Sequence, residues 1–115
     1  MPIIPSIFNK IKKEILGPRY DLSVVFLLDK EMRKKMKYRY KKISSKKTSN
    51  VLSFPLSKTS GEILICPAAA KPYTLAYLFI HGCLHLKGLT HSATMEREEA
   101  KILKKFKLQV LGSRE

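Results

Sequence analysis

The three histidines of the chain fall within one short stretch, His81-Gly82-Cys83-Leu84-His85-Leu86-Lys87-Gly88-Leu89-Thr90-His91. Their spacing is four residues and then six. On a helix, four residues is about one turn at 5.4 Å pitch, so His81 and His85 share a face. Gly88 allows a backbone angle that a side chain resists, and a chain that folds back there carries His91 toward the other two. Three imidazoles with a fourth position open form the ligand set of a catalytic zinc site. The related H-E-x-x-H-x-x-G-x-x-H pattern of metzincin peptidases uses its Glu as general base. That position is Gly82 here, so the pattern predicts a metal cage without the peptidase base. Metal-assisted hydrolysis of something other than a peptide follows, and a small zinc peptidase is the poorer reading. An isolated helical histidine pair is more often packed or solvated than ligating; the glycine and the third histidine at this spacing favour metal. A structural site completed by Cys83 is opposed by geometry. Cys83 is two residues from both helical histidines, about 200° around the helix, and is expected to face the core as a small hydrophobe.

The elements that must position these residues read as α-β-α-β-β-α-α. Residues 5–16 form an amphipathic helix with Ile4, Ile7, Phe8, Ile11 and Ile15 on one side, ended by Gly17-Pro18. A helix packed on a sheet explains this stripe better than a targeting or interfacial helix. Leu22 to Leu28 reads as a buried strand. Asp29 is placed to cap a helix from Lys30 to about Lys41. Asn50 to Phe54 is a strand stopped by Pro55, residues 56–60 are a turn-rich link, and Glu62 to Cys66 is a further strand. Tyr73 to Lys87 is apolar on nearly all sides and is expected to be the central buried helix. A last helix runs from about Ala93 to Leu111, capped by Thr94 or Ser92, with Met95, Ile102, Leu103, Phe106 and Val110 facing inward. Glu96, Glu98 and Glu99 load its first turns as the helix dipole prefers. The fold class is α+β: a small mixed sheet of about three to four strands packed against helices, the central buried helix carrying the histidines.

A chain of 115 residues is expected to form one domain with a core that needs no staples. Cys66 and Cys83 form no disulfide framework and no C-x-x-C pair, which points to a reducing, cytoplasmic setting. No apolar run approaches the roughly 18 residues of a membrane span, and the N-terminus lacks a signal-peptide layout. Charge is the stronger compositional signal: 23 Lys and Arg against nine acids, net +14. The basic residues crowd into Lys30 to Lys47, where Glu31 is the one acid and Tyr38 and Tyr40 are interleaved. Such a stretch neutralises phosphates and offers rings to unpaired bases. A solvated face of a basic protein is the plainer account, and an anionic membrane surface a further competitor.

The histidine stretch resembles the H-G-x-L-H-L-x-G-Y-D-H signature of the bacterial YbeY family, the endoribonucleases of ribosomal RNA maturation. Ser49-Asn50-Val51-Leu52-Ser53-Phe54-Pro55 is similar to that family's T-[DN]-V-L-S-F-P strand, and Gly61-Glu62-Ile63-Leu64-Ile65-Cys66 to its G-D-[IL]-V-I strand. The resemblance spans roughly residues 20–112. It implies one zinc ion held by His81, His85 and His91. It also implies hydrolysis of single-stranded RNA in small-subunit rRNA processing and ribosome quality control. The partners it implies are single-stranded RNA and the small ribosomal subunit, with no membrane and no small-molecule cofactor. Lys41 stands where the family has an arginine, with Arg39 a neighbour able to substitute; either would stabilise charge on the phosphorus centre. Lys cannot grip phosphate bidentately as Arg does. Ser53 is a candidate contact for the RNA backbone. Thr90 replaces the family's usual Asp, an acid able to orient a ligand or a water, and the first strand of the family is shortened here. Zinc lowers the pKa of a water toward 7, and either that water or the ribose 2′-OH is the nucleophile. The rival reading is a non-catalytic ribosome- or RNA-binding protein with a structural metal site.

Overall fold

The structure, a computed structural model, describes residues 5–40 and 49–112, with the side chains of residues 38–40 outside the description. Its elements are α1 (Ser6–Leu16), β1 (Asp21–Phe26), α2 (Asp29–Tyr40), β2 (Val51–Ser57), β3 (Ser60–Ile65), α3 (Leu75–Lys87) and α4 (Ala93–Lys105), with a 3-10 turn at Pro67–Ala69. The three strands form a mixed sheet in the order β1-β3-β2, β1 parallel and β2 antiparallel to β3. This is the small α+β architecture expected of the sequence.

Strand residues alternate between the two faces of the sheet. One face carries Val24 and Phe26 of β1 and Ile63 and Ile65 of β3, and packs against α1, α3 and α4. The other carries Val25, Leu52, Phe54 and Leu64, and packs against Met32 and Met36 of α2. α3 is the centre of the larger core: Phe79, Ile80, Cys83 and Leu84 are fully buried. The stripe of α1 closes one side of that core, with the Phe8 ring stacked on Phe79 at 4.2 Å between centroids. This helix is a core element and not a surface-seeking one. No helix among the described residues is long and apolar enough to cross a membrane.

β1 covers Asp21–Phe26 in place of Leu22 to Leu28, leaving Leu28 exposed, and β3 covers Ser60–Ile65 in place of Glu62 to Cys66. Four further boundaries differ from the sequence reading, each for a local reason. α2 begins at Asp29, because the Glu31 carboxylate accepts the Leu28 N–H at 2.9 Å while Asp29 pairs with Arg33 at 3.4 Å. β2 does not stop at Pro55. It is an edge strand, where the missing proline N–H removes no ladder bond, and it continues with a register irregularity to Ser57. The expected link then shrinks to a tight hairpin turn, held by the Ser57 and Ser60 hydroxyls at 2.7 Å. α3 starts at Leu75, with the Thr74 hydroxyl accepting from the Tyr77 N–H at 3.1 Å as its cap. α4 ends at Lys105, six residues early. Lys107 takes a positive φ of 55°, and residues 109–112 run beside residues 72–74, where the Thr74 N–H donates to the Val110 carbonyl at 2.8 Å. Val110 is consequently exposed, and Leu108 packs on the core in its place.

Gly82 sets how closely α3 approaches the sheet. A Cβ there would lie 3.1 Å from the Ile63 side chain. Replacing Gly82 with alanine gains about 1 kcal/mol of helix propensity and incurs about 1–3 kcal/mol of overpacking. The expected result is a net loss of about 1 kcal/mol in chemical denaturation, and a gain in stability would show that Ile63 yields freely. A glutamate in this position has Ile63 to displace, so the metzincin base is sterically opposed as well as missing.

Candidate metal centre

α3 carries His81 and His85 one turn apart on one face. Gly88 ends the helix with a φ of 109°, its N–H donating to the His85 carbonyl at 3.0 Å and the Leu89 N–H to the Leu84 carbonyl at 3.0 Å. These are the bonds of a left-handed helix stop, and they turn the chain back over the histidine face. Ser92 then caps α4, accepting the Met95 N–H at 3.2 Å, while its hydroxyl donates to the Thr90 carbonyl at 3.0 Å. The two caps leave His91 pointing back at α3.

The three imidazoles converge. His81 Nε2 lies 3.1 Å from His85 Nε2 and 3.0 Å from His91 Nε2, and the potential ligand atoms of all three lie within 4.8 Å of one another. Nitrogens bound tetrahedrally to one zinc at 2.0–2.1 Å sit about 3.3 Å apart, close to two of these spacings. The outer nitrogens fix which inner ones are offered to a ligand. His81 Nδ1 is 2.6 Å from a carboxylate oxygen of Glu99, and His85 Nδ1 is 3.0 Å from the Leu89 carbonyl. Both partners accept, so both Nδ1 atoms donate outward and the Nε2 atoms are the ones turned to each other. Three ring nitrogens turned to one point at these spacings suit a shared metal ion. The donor set therefore fits one metal ion.

Burial lowers the pKa of His85 below the ordinary imidazole range, and the neighbouring His81 adds to the shift. The shift favours the neutral form that binds metal. Burial pushes the Cys83 thiol well up, so Cys83 is a core residue and not a thiolate ligand. Burial, and next the Glu99 carboxylate, raise the Tyr77 phenol, which stays protonated beside that carboxylate.

Glu99 was the residue that spacing alone did not single out. It reads as dipole loading in α4, yet it is buried and holds His81 from behind. The available signal was its place on the apolar stripe, four residues after Met95 and three before Ile102.

A cleft of about 570 Å³ opens beside the histidines, between α3, residues 88–91 and β2. Ser53 lies in its wall with Ser49, Asn50 and Pro55, and Thr90 lies at the loop side. Among the described residues the lining contains no lysine or arginine. Arg39 lies on the last turn of α2 with its side chain outside the description, and Lys41 lies outside the described residues. The described part of the basic stretch, Lys30 to Lys37, is on α2, across the sheet from the histidines.

The family model described as Endoribonuclease YbeY matches residues 3–112. Curated relatives of the same description include one from Rubrobacter xylanophilus, 39% identical over 69 residues that cover 56% of this chain and 50% of the relative. One from Sulfurimonas denitrificans is 40% identical over 79 residues, covering 54% of this chain and 57% of the relative. A third, from Stutzerimonas stutzeri, is 38% identical over 82 residues, covering 56% and 51%. The chain spans about half the length of the curated relatives it matches. No solved structure matches. The match over nearly the whole described chain, joined to the histidine geometry, leads to one conclusion: the chain belongs to the Endoribonuclease YbeY family.

Proposed function

We propose that the chain is a zinc-dependent endoribonuclease that cuts single-stranded RNA in rRNA maturation and ribosome quality control, in the cytoplasm and in company with the small ribosomal subunit. The observation that carries the reading is the convergence of His81, His85 and His91 on one point at the edge of an open cleft. Family membership supports RNA as the polymer. A net charge of +14 suits a polyanionic substrate.

His81, His85 and His91 hold the ion, and a zinc there supplies Lewis acidity toward a phosphodiester and acidifies a water. Glu99 and the Leu89 carbonyl lock the tautomers of His81 and His85, so both rings present Nε2 without reorganisation. Ser53 in the cleft wall contacts the RNA backbone. Arg39 or Lys41 supplies positive charge to the phosphorus centre as negative charge builds there. No carboxylate lies among the described lining residues of the cleft.

The test is cleavage of an end-labelled single-stranded RNA with chelator and after zinc is restored. Cleavage that stops with chelator and returns with zinc is expected. Zinc bound at one ion per chain with no cleavage of any single-stranded RNA would reject the enzyme in favour of a binding protein.

A further inference from the structure

Tyr77 and His81 are four residues apart on α3, so they share a face. Both look across to one side chain of α4, Glu99. Its carboxylate group is 9% exposed and receives His81 Nδ1 at 2.6 Å on Oε2. The Tyr77 side chain hydrogen-bonds to the same carboxylate, while Glu96, one turn earlier on α4, acts on the phenol through charge alone. Among the described residues no lysine or arginine pairs with Glu99.

The Tyr77 ring is held in place from three directions. Its own N–H donates to the Thr74 hydroxyl at 3.1 Å, which fixes the first turn of α3. Tyr73 stacks on the ring at 5.2 Å between centroids, with 28° between the planes. The His81 imidazole follows along the same face at 6.1 Å, tilted by 37°. A phenol fixed this way is a donor of set direction.

A carboxylate out of water needs its oxygens engaged, because unpaired buried charge is costly. It also needs an orientation. The last torsion of a glutamate is broad, so one contact leaves the carboxylate plane free to swing. Two donors from one helix, at i and i+4, remove that freedom.

We propose that Tyr77 is a positioning residue of the metal centre: its hydroxyl donates to Glu99 and holds the carboxylate where it receives the Nδ1 proton of His81. His81 Nε2 then stays aimed at the ion. Tyr77 touches neither metal nor substrate and acts only through Glu99. A tyrosine that merely packs would serve equally well as phenylalanine, which separates the two roles. The proposal rests on the metal site of the reading above and deepens it.

The experiment measures zinc affinity by competition with a chelator for wild type, Tyr77→Phe, Glu99→Ala and the double variant. Phenylalanine keeps the ring and its stack on Tyr73 and removes the hydroxyl alone. Zinc affinity falls about two- to tenfold in Tyr77→Phe, the weight of one hydrogen bond. In the Glu99→Ala background the same change has no effect, because the group it acts through is gone. A second readout needs no metal. In the metal-free chain the His81 Nδ1 proton exchanges with water faster in Tyr77→Phe than in wild type, while backbone amides at the centre of α3 exchange as before. Zinc affinity and Nδ1 proton exchange equal to wild type in Tyr77→Phe would overturn the proposal. So would an equal loss in both backgrounds, which would show Tyr77 acting without Glu99. A wild type that binds no zinc would remove the metal site and the proposal with it. Cleavage plays no part: a chain that binds zinc and cuts no RNA loses the nuclease reading, and these affinities still decide the role of Tyr77.

Discussion

Alanine at His85 abolishes metal binding while leaving the fold standing. Zinc content falls from one ion per chain to near zero, and cleavage of single-stranded RNA falls to the level of chelated wild type. The affinity loss exceeds the 10–100-fold that follows removal of a partner behind a ligand, because a nitrogen of the ligand set itself is gone. Stability without metal changes little. The substitution loses the bond to the Leu89 carbonyl, worth about 1 kcal/mol. Melting with and without zinc provides the control: zinc raises the midpoint of wild type by mass action and does not move that of His85→Ala. A variant that still binds one zinc tightly would remove His85 from the ligand set.

Glu99→Ala weakens metal binding by about 10–100-fold, the usual cost of losing the group that orients a ligating imidazole. Glu99→Gln sits between this and wild type, since its amide oxygen still accepts from His81 Nδ1 but carries no charge. The contact is buried and 2.6 Å long, so its effect on zinc affinity varies little with salt, unlike that of a surface ion pair. Competition against a chelator of known zinc affinity reads this directly and needs no RNA. Unchanged zinc affinity in Glu99→Ala, with a lowered melting temperature, would reduce Glu99 to a core polar residue.

Much of the site's scaffold was legible before any coordinates. The four-residue step from His81 to His85 reads as one helical face, and Gly88 as the left-handed stop that returns the chain toward them. The core position of Cys83 followed from its angle around the same helix. The stripe of α1 was equally plain, since its buried residues repeat at the period of a helix, and β1 and β3 were legible as strands though not at their ends. Less visible were features that depend on what lies opposite. Pro55 reads as a strand stop, and does not stop β2 because nothing pairs with that edge among the described residues. Residues 106–110 contain apolar positions compatible with a helix, yet Phe106 and Lys107 form a turn that ends α4, with Lys107 at a φ of 55°, and Val110 and Gly112 bond to residues 72–74 instead.

The sequence by itself determined the type and number of imidazoles, their helical spacing and the glycine that folds them together, because these are local and the backbone of one helical turn and two neighbouring caps delivers them. Tertiary structure alone decided that Glu99 stands behind His81, since that contact joins two helices across 18 positions of chain. It also decided that Lys30 to Lys37 lies across the sheet from the histidines, since which face a helix covers depends on where its apolar residues find a partner.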